Sequence, residues 1–159
     1  MLEPKKKIVI VEDDPEIRMI MMDFLQSYSE YEVQQATNAS EAMQILKGLE
    51  KGECQALLLD LMMPYGDQNP EELDSATDPE GKDTGIRLLR WLREIRGDHT
   101  MWVAVVTAKN TPEVVATIQP LLGQRGRFYT KPFNDFHLAH DLATALGVNS
   151  RVPAALQPR

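Results

Sequence analysis

Residues 8–11, 56–61 and 101–106 are three short, almost unbroken apolar runs. A strand with one wet face alternates apolar and polar side chains, whereas a run without alternation belongs to a strand covered on both faces. Segments of helical period lie between the runs, and parallel strands need long crossover connections of this kind. The pattern therefore predicts an α/β chain with a parallel sheet sandwiched between helices. Residues 32–36 and 127–130 supply a fourth and a fifth strand of lower apolar content.

The helices read as follows. Ile17, Ile20, Met21, Phe24, Leu25 and Tyr28 recur at helical spacing behind Asp14 as cap and Pro15 at the first helical position. Ala42, Ile45, Leu46 and Leu49 mark a second helix, opened by Asn38 and Glu41 as a capping pair. Ile86, Leu89, Leu92 and Ile95 mark a third, and Leu138, Leu142 and Ala145 the last. Residues 112–122 form the fourth behind Thr111 as cap, with Pro120 expected to end or kink it. The sum is five β-α units in one domain. With 159 residues, 43% of them hydrophobic, the chain is long enough to bury roughly 70% of its unfolded surface. After Gly147 the chain has two prolines and no periodicity, so residues 147–159 read as a disordered tail.

The net charge of −7 excludes the phosphate-neutralising surplus of Lys and Arg that a nucleic-acid or anionic-membrane partner calls for. Cys54 is the sole cysteine, which points to a reducing compartment, and the cytoplasm is the expected location. The basic start, residues 1–7, is followed by only four apolar residues before Glu12, too few for a signal peptide or a membrane helix.

In an open parallel sheet, ligands bind beyond the carboxyl ends of the strands. The first strand ends in Glu12-Asp13-Asp14, the third at Asp60, the fourth at Thr107 and the fifth in Lys131-Pro132. Four strand ends thus carry acids, a hydroxyl and a cation.

Four blocks of sequence, in this order and at these strand ends, carry a family resemblance. Ile8-Val9-Ile10-Val11-Glu12-Asp13-Asp14-Pro15, Asp60-Leu61-Met62-Met63-Pro64, Val105-Val106-Thr107-Ala108-Lys109 and Thr130-Lys131-Pro132-Phe133 together resemble a response-regulator receiver domain of two-component signalling, over residues 5–146. The resemblance implies a flavodoxin-like, doubly wound (βα)5 fold with strand order 2-1-3-4-5. In that order Glu12 and Asp13 lie beside Asp60. Three carboxylates there repel unless a hard divalent cation sits among their oxygens, and Mg²⁺ fits best.

The resemblance further implies the roles. Asp60 is the phosphoacceptor, taking a phosphoryl group from a sensor histidine kinase or a histidine phosphotransfer protein. Asp13 ligates Mg²⁺ directly, Glu12 mainly through water, and the backbone carbonyl of Met62 supplies another oxygen. Lys131 contacts the phosphoryl oxygens, with a cis Lys131-Pro132 bond. Thr107 moves toward the phosphoryl group, and Phe128 is the aromatic that swings inward. The chain is then a stand-alone phosphoprotein switch that acts on a downstream protein target, with no room for an output domain after Gly147. It has no nucleic-acid or membrane partner and is not an enzyme beyond its own phosphorylation and dephosphorylation. A phosphohydrolase of the haloacid-dehalogenase type also uses an Asp nucleophile, Mg²⁺ and Lys, but places a second Asp two positions on, where this chain has Met62. A receiver-like scaffold without phosphorylation is the remaining alternative, opposed by the full set of acids, Thr and Lys.

One departure from the family stands out. Pro64 and Gly85 are separated by 20 residues, where a few are usual. This insertion, residues 65–84, carries seven acidic side chains against Lys82, so −6 of the chain's −7 lies in it. Its composition predicts a mobile, solvated loop, or a gate over Asp60. A calcium loop beginning Asp67-Gln68-Asn69 is disfavoured because Glu72 stands where the sharp turn needs Gly.

Overall fold

The computed structural model describes residues 3–67 and 70–159. Five parallel strands, β1 (Lys6–Val11), β2 (Tyr31–Ala36), β3 (Cys54–Leu59), β4 (Trp102–Thr107) and β5 (Gly126–Thr130), form one sheet in the order β2-β1-β3-β4-β5. Helices α1 (Pro15–Gln26), α2 (Ala39–Lys47), α3 (Thr84–Arg90), α4 (Pro112–Leu122) and α5 (Asp135–Leu146) connect and cover it. Alternate residues of the central strands feed two separate cores. Val9, Leu57, Leu59, Val103 and Val105 meet α2, α3 and α4, while Ile8, Ile10, Leu58, Ala104 and Val106 meet α1 and α5. This explains the unbroken apolar runs, since each side of each strand has a helix to bury against.

The caps act as expected. Asp14 Oδ1 accepts from the amides of Glu16 and Ile17, Asn38 Oδ1 from Glu41, and Thr111 Oγ1 from Val114. Several expectations need correction. Ile20 and Ile95 keep the helical spacing but are exposed, whereas Tyr28 and Leu49 lie just past the ends of α1 and α2. Pro120 does not break α4, which runs on to Leu122, because only its last turn loses a donor. After Arg90 the third helix continues as a π-helical turn, Trp91–Ile95, closed by the bond from Arg96 N to Trp91 O at 2.8 Å.

The π-helical turn delivers Arg93 to the interior, where its guanidinium donates to four backbone carbonyls: Leu121 (2.9 Å), Asp98 (3.0 Å), Met101 (2.8 Å) and Arg125 (2.9 Å). A buried charge is tolerated when its donors are engaged, and here four of the five N–H groups are bonded and join the π-helical turn to the approaches of β4 and β5.

The tail is not free. Arg151 N donates to Tyr28 Oη at 2.8 Å, its guanidinium lies over the Tyr28 ring, Ser150 Oγ pairs with His140 Nδ1, and Val152 is buried. The two prolines flank a single 3₁₀ turn, Ala154–Leu156, and do not prevent this docking, in which a cation over an aromatic ring takes part.

The insertion is also anchored, against the expectation of a mobile loop; Gln68 and Asn69 of the disfavoured calcium motif lie outside the described residues. Two 3₁₀ turns, Glu71–Leu73 and Ser75–Thr77, lie along α2 and α3. Leu73 is buried in the α2-α3-α4 core, Lys47 pairs with Glu72, and Arg87 Nη1 donates to the carbonyls of Leu73 and Asp74 and to Thr77 Oγ1. Asp78 accepts from Tyr65 Oη (2.8 Å) and from the amides of Asp83 (2.8 Å) and Lys82 (3.0 Å). A few well-placed anchors thus outweigh a composition that favours disorder. No helix among the described residues is long and apolar enough to cross a membrane.

Two outcomes follow for stability. Arg93→Met strips the donors from four carbonyls and is expected to cost about 3 kcal/mol in urea unfolding; a loss below about 1 kcal/mol would contradict the role given to Arg93. Burial opposes ionisation of Asp78, but its three hydrogen bonds prevail and hold its pKa below the ordinary value. Its contribution is therefore present above the unfolded carboxylate pKa and lost as pH falls through the lower folded value. Asp78→Asn is expected to lower stability at neutral pH and to flatten the acid side of the stability profile.

Candidate functional site

The ends of β1, β3, β4 and β5 converge at one edge of the sheet. A backbone bond from Asp60 N to Val11 O at 3.0 Å holds the ends of β1 and β3 in step, and one from Glu12 N to Ala36 O at 3.0 Å ties the end of β1 to β2. Glu12, Asp13 and Asp60 thereby lie together, each with a carboxylate oxygen within 4.8 Å of the others. Glu12 is fully buried, Asp60 nearly so, and Asp13 is exposed. Lys131, just past β5, sends Nζ between the two buried acids, 2.5 Å from Glu12 Oε1 and 3.1 Å from Asp60 Oδ2. The other Asp60 oxygen, Oδ1, accepts from Met62 N at 3.1 Å.

One ammonium does not neutralise three carboxylates. At Glu12 burial, and after it the charge of Asp60, pushes the carboxyl up to about 8 against the opposing pull of Lys131. At Lys131 burial works against the charge, but the hydrogen bond to Glu12 and the charges of Asp60 and Glu12 raise its pKa overall. A cluster of hard oxygens with residual negative charge and one solvent-facing member, Asp13, has the donor chemistry of a site for a small divalent cation.

Thr107 is buried at the end of β4, where its Oγ1 accepts from Lys109 N at 3.2 Å and its carbonyl from Lys131 N at 2.9 Å. Phe128 pairs with Val105 across β4 and β5 and packs, partly buried, against the α2-α3-α4 core. The Lys131-Pro132 bond is cis. The side chain of Met62 is half exposed. The acids, Lys131 and Thr107 thus lie at the same edge of the sheet, with Phe128 two residues before the end of β5.

Three residues matter here that the strand-end pattern did not single out. Arg18 Nη1 donates to the carbonyls of Glu12 (2.9 Å) and Asp13 (3.4 Å), fixing the β1-α1 turn. Lys109 links Thr107 to the insertion, donating from Nζ to Lys82 O at 3.0 Å. Gly85 N bonds Leu61 O at 3.0 Å, and a Cβ on Gly85 would fall well inside contact distance of Asp60 O and Leu61 Cα. Two of these are cations acting on backbone carbonyls, which leave no mark in a sequence. Gly85 is the second residue of α3. The insertion turns away from the crevice toward α2 and α3, and its described anchors are on those helices and on Lys109, which does not match a lid over Asp60.

Residues 8–68 match the response regulator receiver domain family. The fold resembles that of the isolated REC domain of RcsB from Salmonella enterica serovar Typhimurium, determined in the presence of phosphomimetic BeF3⁻, with TM-score 0.68 and 18% identity over 96% of each chain. It also resembles the chemotaxis response regulator CheY4 of Vibrio cholerae, with TM-score 0.65 and 21% identity over 89% of this chain and 98% of that one. The BeF3-activated DrrB receiver domain gives TM-score 0.64 and 22% identity over 90% and 98%. No curated protein matches the chain.

Gly85→Ala is expected to cost about 2 kcal/mol despite the better helix propensity of Ala, because the backbone around Asp60 must move. Chemical unfolding checks it, and a neutral or stabilising result would show that α3 can retreat without disturbing Asp60.

Proposed function

We propose that this chain is a response regulator receiver domain and works as a phosphorylation-dependent signalling switch with Asp60 as its phosphoacceptor. The observation that carries the reading is Lys131 Nζ held between Glu12 and Asp60, beside the exposed carboxylate of Asp13.

Asp60 is an acceptor that needs no separate base. One carboxylate oxygen attacks the phosphorus of a phosphohistidine, on a sensor histidine kinase or a histidine phosphotransfer protein. The O–P bond forms as the P–N bond breaks, and the imidazole leaves with the electron pair. Catalysis in such a transfer is positioning and charge neutralisation. Lys131, already aimed at Asp60, supplies one positive charge to the transferring oxygens. Asp13 and Asp60 would hold Mg²⁺ directly, Glu12 through water, with the Met62 carbonyl as a further oxygen. When bound, the ion neutralises charge that Lys131 alone leaves uncompensated and orients the phosphoryl oxygens.

The product adds about −1.5 to −2 charge at Asp60, by analogy with phosphorylated hydroxyls. Thr107, buried at the adjoining strand end, turns its hydroxyl toward that charge, and Phe128 responds on the neighbouring strand. The altered surface is then read by a downstream protein target, and the chain does no chemistry beyond gaining and losing its own phosphoryl group. A haloacid-dehalogenase-like phosphohydrolase is less well supported because Met62 stands where its acid should be. A non-phosphorylated scaffold would have no need of the buried Glu12 and Asp60 with their shared Lys131.

Incubation with Mg²⁺ and acetyl phosphate, read by intact mass, is expected to add one phosphoryl group to the wild type and none to Asp60→Asn. Sustained hydrolysis of unrelated phosphoesters would point to the phosphohydrolase. The absence both of an adduct and of Asp60-dependent BeF3⁻ binding would leave the scaffold.

A further inference from the structure

The residue two places beyond Thr107 faces two ways. The backbone N–H of Lys109 donates to Thr107 Oγ1 at 3.2 Å, while its Nζ reaches the far end of the insertion, donating to Lys82 O at 3.0 Å and lying 3.6 Å from Asp83 Oδ1. Its side chain is about a quarter exposed and that of Asp83 about half exposed, so the contacts lie at the surface and can be made or broken without unfolding the core.

From Asp83 the connection continues through the insertion. Asp83 N and Lys82 N donate to the carboxylate of Asp78, which also accepts from Tyr65 Oη. The Tyr65 carbonyl in turn accepts from both Ser40 N (2.8 Å) and Ser40 Oγ (2.6 Å) in the first turn of α2. On the other side, Asp83 O accepts from Arg87 N in the first turn of α3. Lys109 therefore joins the β4-α4 connection to a segment bonded to both α2 and α3.

We infer that the insertion is a latch on the β4-α4 connection, with Lys109 as its catch, and that phosphorylation of Asp60 releases it. The inference rests on the receiver reading above. With Thr107 Oγ1 accepting from Lys109 N, the connection and the insertion are mutually braced. When the hydroxyl turns toward a phosphoryl group on Asp60, Lys109 N loses its acceptor, the connection shifts, and the Nζ contacts to Lys82 and Asp83 are pulled out of place. The insertion then loosens from its C-terminal end, changing the acidic surface it presents along α2 and α3. Coupling is reciprocal: if the phosphorylated state releases the latch, a chain without the catch reaches that state more easily.

Hydrogen exchange of the full chain, with BeF3⁻ and Mg²⁺ mimicking the phosphoryl aspartate, tests this. The amides of Gly81, Lys82 and Asp83, all bonded to Asp78, report on the insertion. In the wild type, BeF3⁻ is expected to speed their exchange at least about threefold, the loss of one modest hydrogen bond. In Lys109→Met, exchange should be fast with or without BeF3⁻, and BeF3⁻ should bind at least about threefold tighter. Lys109→Arg, which retains a donor and a charge, should behave as the wild type. If BeF3⁻ protects residues 103–109 of the wild type but not of Asp60→Asn, yet exchange at 81–83 is unchanged or slower, the latch is wrong and the receiver reading stands. If BeF3⁻ fails to bind the wild type, both fall.

Discussion

An ammonium group lying between two buried carboxylates ties the far edge of the sheet to its centre. Lys131 follows β5, Asp60 follows β3 and Glu12 follows β1, so Nζ joins three strand ends that are widely spaced in the sequence. Without it, two acids buried side by side would repel in a poorly solvated crevice. With it, the site holds together, but burial and the neighbouring charge of Asp60 still raise the pKa of Glu12, and the cluster of acids favours binding of a cation. The same arrangement that makes the strand ends compatible thus prepares Asp60 for phosphoryl chemistry. Gly85 sets the backbone behind it, because α3 approaches Asp60 too closely for any side chain to intervene.

A second constraint lies in how the insertion is accommodated. Three of its acids are engaged by partners other than the groups around Asp60, where they would add to the repulsion and oppose an anionic phosphodonor. Glu72 pairs with Lys47, Asp83 lies near Lys109, and Asp78 is enclosed by donors. The segment's negative charge is used to fasten it to the flank of the domain, leaving the crevice open on the side of Asp13. Arg93 plays a corresponding part at the opposite end of α3, where four carbonyls converge on one guanidinium.

Much of this was legible beforehand, for identifiable reasons. The unbroken runs in β1, β3 and β4 could not belong to strands with a wet face, and the caps at Asp14, Asn38 and Thr111 announced their helices through short-range chemistry. Glu12, Asp13, Asp60, Thr107 and Lys131 were visible because polar residues ending apolar runs in a parallel sheet share one edge. The tail and the insertion depart from what their composition favours because a few tertiary contacts override local tendency. The tail is held by Tyr28 and His140, and the insertion by Leu73, Arg87 and Asp78, none of which has a local signature. Ile20 and Ile95 matched the helical period yet faced water, because spacing specifies a face but not where its cover ends.

By itself, then, the sequence determined the alternation of strands and helices, the burial of the sheet on both faces, and the acids, hydroxyl and cation that end its strands. Those properties are written in periodicity and short-range chemistry. The tertiary structure alone decided that Lys131 would be shared by Glu12 and Asp60, that an acidic insertion would be an anchored flank, and that Lys109 would bind it to the end of β4. Each of these depends on residues distant in the chain meeting at hydrogen-bond range, often through backbone carbonyls. Every residue type carries such carbonyls, so no composition or spacing reveals which of them a side chain will find.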